Sequence, residues 1–229
     1  MIKYLCMGKI NLLIANADGT FTDGEVVVFQ KAAEAAESFI SKNFEFDYEV
    51  DIVVTTPSYL MSTIPEDGIS GRTYTSRFII IVIDKQESEI TEDIVFETMC
   101  HEMSHSLRWE KVPEYANTLF KNMILEGLAV ALEERAMSDT KRQHTQHFLK
   151  TMQETDEATI SGIVSQLKGR FDDSRYDHET IFYTGNDKLP RWAGYRLGCY
   201  LVKKHLGITG NTIKRATLAS YGEFEETVG

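Results

Sequence analysis

Residues 91–109 read TEDIVFETMCHEMSHSLRW, and the organisation of the whole chain can be worked outward from them. Thr91 is a candidate N-cap, and Glu92 and Asp93 place negative charge in the first turn, where the helix dipole favours it. Val95, Phe96, Met99 and Met103 supply an apolar side, so the pattern predicts a helix to about Trp109, ended before Pro113. On that helix His101 and His105 stand at i and i+4 and share one face, within reach of a single ion. Glu102 points to the adjoining edge, where it can hold a metal-activated water without ligating the metal. Cys100 is turned about 100° from His101 and reads as a small core residue.

A catalytic zinc ion needs a third protein ligand and an open fourth position. An extended His-x-x-Gly-x-x-His motif is excluded, because Arg108 and Lys111 stand where its Gly and His would be. A carboxylate on a following helix is the other solution. Glu126 lies inside an otherwise apolar stretch with Leu119, Met123, Ile124, Leu125, Leu128, Val130 and Leu132. A lone carboxylate there is costly to bury unless it is paired or metal-bound. Gly127 beside it permits close approach of a neighbouring helix. Glu133 and Glu134, further along, read as solvent-facing.

Before this region the chain reads as a small α/β layer. Lys9–Ala15, Tyr48–Thr55 and Phe78–Ile83 are strand candidates, the last apolar throughout and expected to be covered on both faces. Helical spacing runs from Gly24 to about Lys42. After it come expected helices over about 114–136, 141–153 and 160–168, a polar stretch over 171–188, and a last helix from Pro190 through His205, closed by Gly207. The tail from Gly210 reads as polar. The fold class expected is α+β and zincin-like: a small mixed sheet with a helix over 1–90, then a mostly helical lobe over 91–229, in one domain.

Three blocks, His-Glu-x-x-His at 101–105, Glu-Gly-Leu-Ala at 126–129 and Trp-Ala-Gly-Tyr-Arg-Leu-Gly at 192–198, resemble a bacterial family described as predicted Zn-dependent proteases, domain of unknown function 2268. The likeness covers about residues 91–206 and implies a zincin-like fold with a zinc site on His101, His105 and Glu126, and a reaction class rather than a substrate. The residues themselves lead to the expectation of one zinc ion per chain, Glu102 as general base and a peptide or protein substrate. Thermolysin-like gluzincins carry an acid four residues after the ligand Glu to orient a zinc-binding His; here Val130 stands there. Glu97, Glu133 or a backbone carbonyl is left to do that work. Tyr195, in the third block, is the candidate donor to the oxyanion. Gly194 and Gly198 flank it on a close-packing face. Arg196 is a candidate either to share that charge or to bind a substrate carboxylate, with Tyr183 and His178 as outsiders. An extended substrate would align on an edge strand near Arg72–Thr75.

Composition narrows the classes. Lys and Arg number 24 against 35 Asp and Glu, a net charge of −11, which argues against a nucleic-acid binder or a polybasic membrane anchor. The longest apolar run, Phe78–Ile83, is far short of a membrane span. Cys6, Cys100 and Cys199 are too scattered for a disulfide framework and fit a reducing, cytoplasmic compartment. A signal-like pattern, Lys3, Ile10–Ala15 and Ala15-Asn16-Ala17, leaves secretion open, although Lys9 and Asn11 interrupt it. His144 and His147 read as a solvated helix face, and His205 as a favourable charge at a helix C-terminus. The main expectation is a zinc metallopeptidase. The alternatives are a non-catalytic zinc-stabilised binding protein and a zinc hydrolase of a non-peptide amide.

Overall fold

A computed structural model describes residues 8–58, 61–112, 114–144 and 146–228. The expectations for Lys3, Cys6 and Pro113 lie outside the described residues. Strand β1 (Lys9–Ile14) pairs in parallel with β2 (Glu49–Thr55), and β2 in parallel with β4 (Phe78–Ile83). Strand β3 (Ile69–Thr75) runs antiparallel to β4, giving a mixed sheet of order β1-β2-β4-β3 with β3 at an edge. The crossover between β1 and β2 is α1 (Asp23–Asn43). A capping box starts it: Glu25 N–H donates to the Thr22 hydroxyl and Thr22 N–H donates to the Glu25 carboxylate.

Phe29, Ala32, Ala36 and Ile40 of α1 pack with Val50, Ile52 and Val54 of β2 and with Ile79 and Ile81 of β4. Helix α2 (Glu92–Lys111) adds Val95, Phe96, Met99 and Met103 to the same core. Burying each such side chain contributes about 1.5–3 kcal/mol. The expectation that β4 is covered on both faces holds only toward its end: Phe78 is 36% exposed and Ile80 half-buried, whereas Val82 is enclosed. Thr91 caps α2 by accepting from Ile94 N–H, and Arg142 pairs with Glu92 and Asp93 in its first turn.

The helices after α2 correct several sequence-based boundaries. Helix α3 (Leu119–Thr140) starts at the Thr118 cap, not near Glu114, whose carboxylate instead accepts from Tyr221 N–H. Lys141 takes a left-handed conformation and ends α3, so the expected 141–153 helix shrinks to α4 (His147–Gln153). Nothing on α4 caps its own start; the Asp67 carboxylate does so from the sheet side, accepting from the His147 and Phe148 N–H groups. Helix α5 (Glu157–Leu167), capped by Asp156, begins three residues before the expected Ile160. The stretch expected to be polar holds a π-helical turn, Thr180–Thr184, with Phe182 buried.

Helix α6 (Ala193–Thr209) runs through Gly207 and stops at Gly210, which supplies the left-handed φ of 67°. The tail is packed rather than simply polar: α7 (Ile213–Thr217) is followed by a 3₁₀ segment, Tyr221–Val228, that buries Tyr221 and Phe224. His205 is likewise enclosed, its ring 4.4 Å from that of Phe224. Among the described residues, no helix is long and apolar enough to cross a membrane.

Candidate metal centre

Helix α2 presents the two imidazoles and α3 the carboxylate. His101 Nε2 lies 3.5 Å and His105 Nε2 3.4 Å from the same Glu126 oxygen, Oε2. That oxygen is buried without a hydrogen-bond partner, and the three donor atoms lie within 4.8 Å of one another. Such separations are long for aligned hydrogen bonds. They suit donors around one ion, because tetrahedral ligands at about 2.0–2.1 Å from zinc sit roughly 3.3–3.4 Å apart. The donor set of two imidazoles and one carboxylate is equally suited to zinc.

The reason Glu126 arrives there is a helix crossing. A Cβ on Gly127 would fall 2.2 Å from the carbonyl carbon of Gly198 on α6, and one on Gly198 would fall 1.9 Å from Met123 O. Only glycine at both positions lets α3 and α6 touch backbone to backbone at this level. Burial works against charge on His101, yet Glu126 and Glu133 together push its pKa well above the ordinary histidine value. Burial also opposes the Glu126 carboxylate, but the His105 and His101 imidazoles hold its pKa far below the usual range. The cluster is thus a half-buried carboxylate held ionised between two imidazoles, an arrangement that suits a metal cation.

Glu133 is the residue that orients an imidazole. It is buried, against the solvent-facing expectation, and its Oε2 accepts from His101 Nδ1–H at 2.9 Å, which leaves Nε2 turned to the cluster. Glu97 does not reach His101. It is fully enclosed one turn back, 3.4 Å from His144 Nδ1, and burial with the neighbouring Glu133 pushes its carboxyl up to about 9. Of the two histidines expected on a solvated helix face, His147 is exposed as the first residue of α4, whereas His144 lies ahead of that helix, half-buried against Glu97. His105 Nδ1 is buried with no partner.

Glu102 is 5% exposed beside this cluster, under the edge strand. The Thr73 hydroxyl lies 2.7 Å from its Oε2, and the carboxylate rests against the bare backbone of Gly71. Tyr195 lies with its ring centroid 6.4 Å from that of His101, boxed by Phe148, Phe182 and Tyr183. Burial, and then the Glu126 charge, raises its phenol well above 10, so it remains a proton donor at neutral pH. Arg196 is not brought to this cleft; its guanidinium donates to Arg191 O and the Thr155 hydroxyl on the outer side of α6.

A cavity of about 110 Å³ opens beside His101 and Glu102, walled by Ile64, Ile69, Phe148 and Trp192. It shares Ile64, Gly71, Tyr183 and Trp192 with a wider cleft of about 530 Å³ along β3. A larger hollow of about 710 Å³, against α1, α3 and α6, is lined by none of His101, His105 and Glu126. Trp192 holds a left-handed φ of 61°, a conformation that costs a non-glycine residue about 1–3 kcal/mol. Nothing in the sequence marks Ile64, Phe148 or the Thr73 hydroxyl for this site; Gly71, an isolated glycine in a strand, is the local signal of close approach.

These features define an α+β protein whose α2 and α3 assemble a His–His–carboxylate cluster able to hold a metal ion. Residues 28–226 match the family described as predicted Zn-dependent protease, domain of unknown function 2268, and the chain belongs to that family. No curated protein and no solved structure matches the chain.

Proposed function

We propose that the chain is a zinc-dependent metallopeptidase of zincin-like, gluzincin type, one domain whose two lobes close on a single zinc ion held by His101, His105 and Glu126. The observation that carries this reading is the convergence of the three ligand atoms, two of the distances being 3.4 and 3.5 Å, beside an enclosed Glu102. When bound, zinc supplies Lewis acidity that polarises a carbonyl and lowers the pKa of a coordinated water toward about 7. Glu102 accepts a proton from the attacking water as the C–O bond forms, then delivers it to the amine as the C–N bond breaks. The Tyr195 phenol donates to the carbonyl oxygen as charge gathers there. An extended peptide would pair with the edge of β3 and lie in the cleft that Ile64, Tyr183 and Trp192 wall. A cytoplasmic setting is part of the same reading, supported by the unpaired, buried thiols Cys100 and Cys199.

Elemental analysis and hydrolysis of labelled casein test the reading together. One zinc per chain is expected, with Glu102→Gln keeping the zinc and losing at least about 10²–10⁴ in rate. A Glu102→Gln protein as active as wild type removes Glu102 from the mechanism. Stoichiometric zinc with no hydrolysis would favour a zinc-stabilised binding protein.

A further inference from the structure

We propose that Thr73 is a positioning residue for Glu102, fixing one oxygen of its carboxylate so that the other is presented for proton transfer. The inference rests on the reading of Glu102 as proton carrier and adds a second element, the edge strand, to the machinery. Gly71 and Thr73 are two apart on β3 and therefore point to the same side of the sheet, toward α2. A Cβ on Gly71 would lie 2.4 Å from Glu102 Cγ and 2.6 Å from Oε1. The glycine thus leaves a slot that the Glu102 side chain fills, and Thr73 closes the slot at the next inward position.

The Thr73 hydroxyl is 8% exposed as a residue and has two acceptors within reach, both on Glu102: Oε2 at 2.7 Å and the backbone oxygen at 3.0 Å. Its single proton goes to Oε2 while the carboxylate is ionised, since a charged acceptor makes the stronger bond. With Oε2 engaged in this way and the hydroxyl also within 3.0 Å of the backbone oxygen, Oε1 is the oxygen left for the reaction.

The experiment uses the full-length, zinc-loaded protein as wild type, Thr73→Ala and Thr73→Ser. Zinc affinity is read by competition with a chromophoric chelator, kcat and KM with labelled casein, and acetohydroxamate affinity by calorimetry, because a hydroxamic acid gives up a proton as it chelates. Thr73→Ala is expected to lower kcat about ten- to hundredfold, the worth of one hydrogen bond to a charged group. KM and zinc affinity should stay within about twofold, acetohydroxamate affinity should fall with kcat, and Thr73→Ser should recover most of both.

An unchanged kcat in Thr73→Ala overturns the proposal. So does a loss of zinc affinity in step with kcat, or a serine variant no better than alanine, since either marks Thr73 as a mere tie between β3 and α2. A wild type that degrades no casein while Thr73→Ala still weakens acetohydroxamate binding would end the peptidase reading and support the positioning role.

Discussion

The sheet-bearing half and the helical half of the molecule meet at α2, and each equips the cluster by a different kind of contact. From the sheet comes a polar clamp: the Thr73 hydroxyl 2.7 Å from Glu102, with Gly71 making room. From the helices comes a steric one: Gly127 against Gly198, which sets the level at which Glu126 enters. A hydrogen bond can be deleted with the fold intact, because its loss leaves backbone positions alone. A backbone-to-backbone crossing cannot absorb even a methyl group, so damage there reaches fold and site together. The same contrast separates two carboxylates. Glu126 is half-buried among imidazoles and held ionised, whereas Glu97 is buried beside Glu133 and held protonated.

The most damaging test of this contrast is Gly198→Ala. The added methyl would meet Met123 O at 1.9 Å, and we expect a loss of about 4 kcal/mol or more in urea denaturation, with zinc lost alongside. A variant that folds and binds zinc normally would show that the crossing is not what delivers Glu126. Next in size is Glu126→Ala, for which the fold should survive and zinc affinity fall at least about 100-fold by chelator competition. Equal zinc content in variant and wild type would expel Glu126 from the ligand set.

Glu133→Ala should be milder, with zinc affinity lowered about 10–100-fold, since the His101 ring loses its 2.9 Å anchor but keeps its donor atom. No change in affinity would mean that α2 alone holds the ring. The smallest effect concerns pH. Glu97 titrates near the ordinary 4.5 when unfolded and near 9 when folded, so the folded state keeps a proton that the unfolded chain gives up. The resulting penalty is absent below about pH 4.5 and grows as pH rises toward 9. Between pH 5 and 8.5 wild type should lose at least about 1 kcal/mol more stability than Glu97→Gln. Parallel stability–pH curves for the two would refute the protonated state.

Local signals were read well from the sequence where a single chemical cause acts on neighbouring residues. The Thr91 cap, the i and i+4 histidines and the strands at Lys9–Ile14 and Phe78–Ile83 all depend on contacts within a few positions. Errors gathered where a remote partner decides. The 141–153 helix was expected whole, but Lys141 turns left-handed and α4 starts where Asp67, eighty residues earlier, can accept its first N–H groups. Glu133 was read as solvent-facing because nothing local says that His101 will lie opposite it. Arg196 was read toward the substrate, yet the turn of α6 set by Gly194 and Gly198 against Phe182 and α3 directs it to Thr155.

By itself the sequence determined the α+β composition, the helix that carries His101, Glu102 and His105, and the residue types able to ligate a metal, because periodicity and capping are short-range properties. Only the tertiary structure decided that Glu126 shares one point in space with both imidazoles, that Glu133 backs His101, and that the edge strand reaches Glu102. Those relations depend on how close two backbones can come, and that is fixed by pairs of residues, such as Gly127 and Gly198 or Gly71 and Glu102, whose separation in sequence carries no trace of their contact.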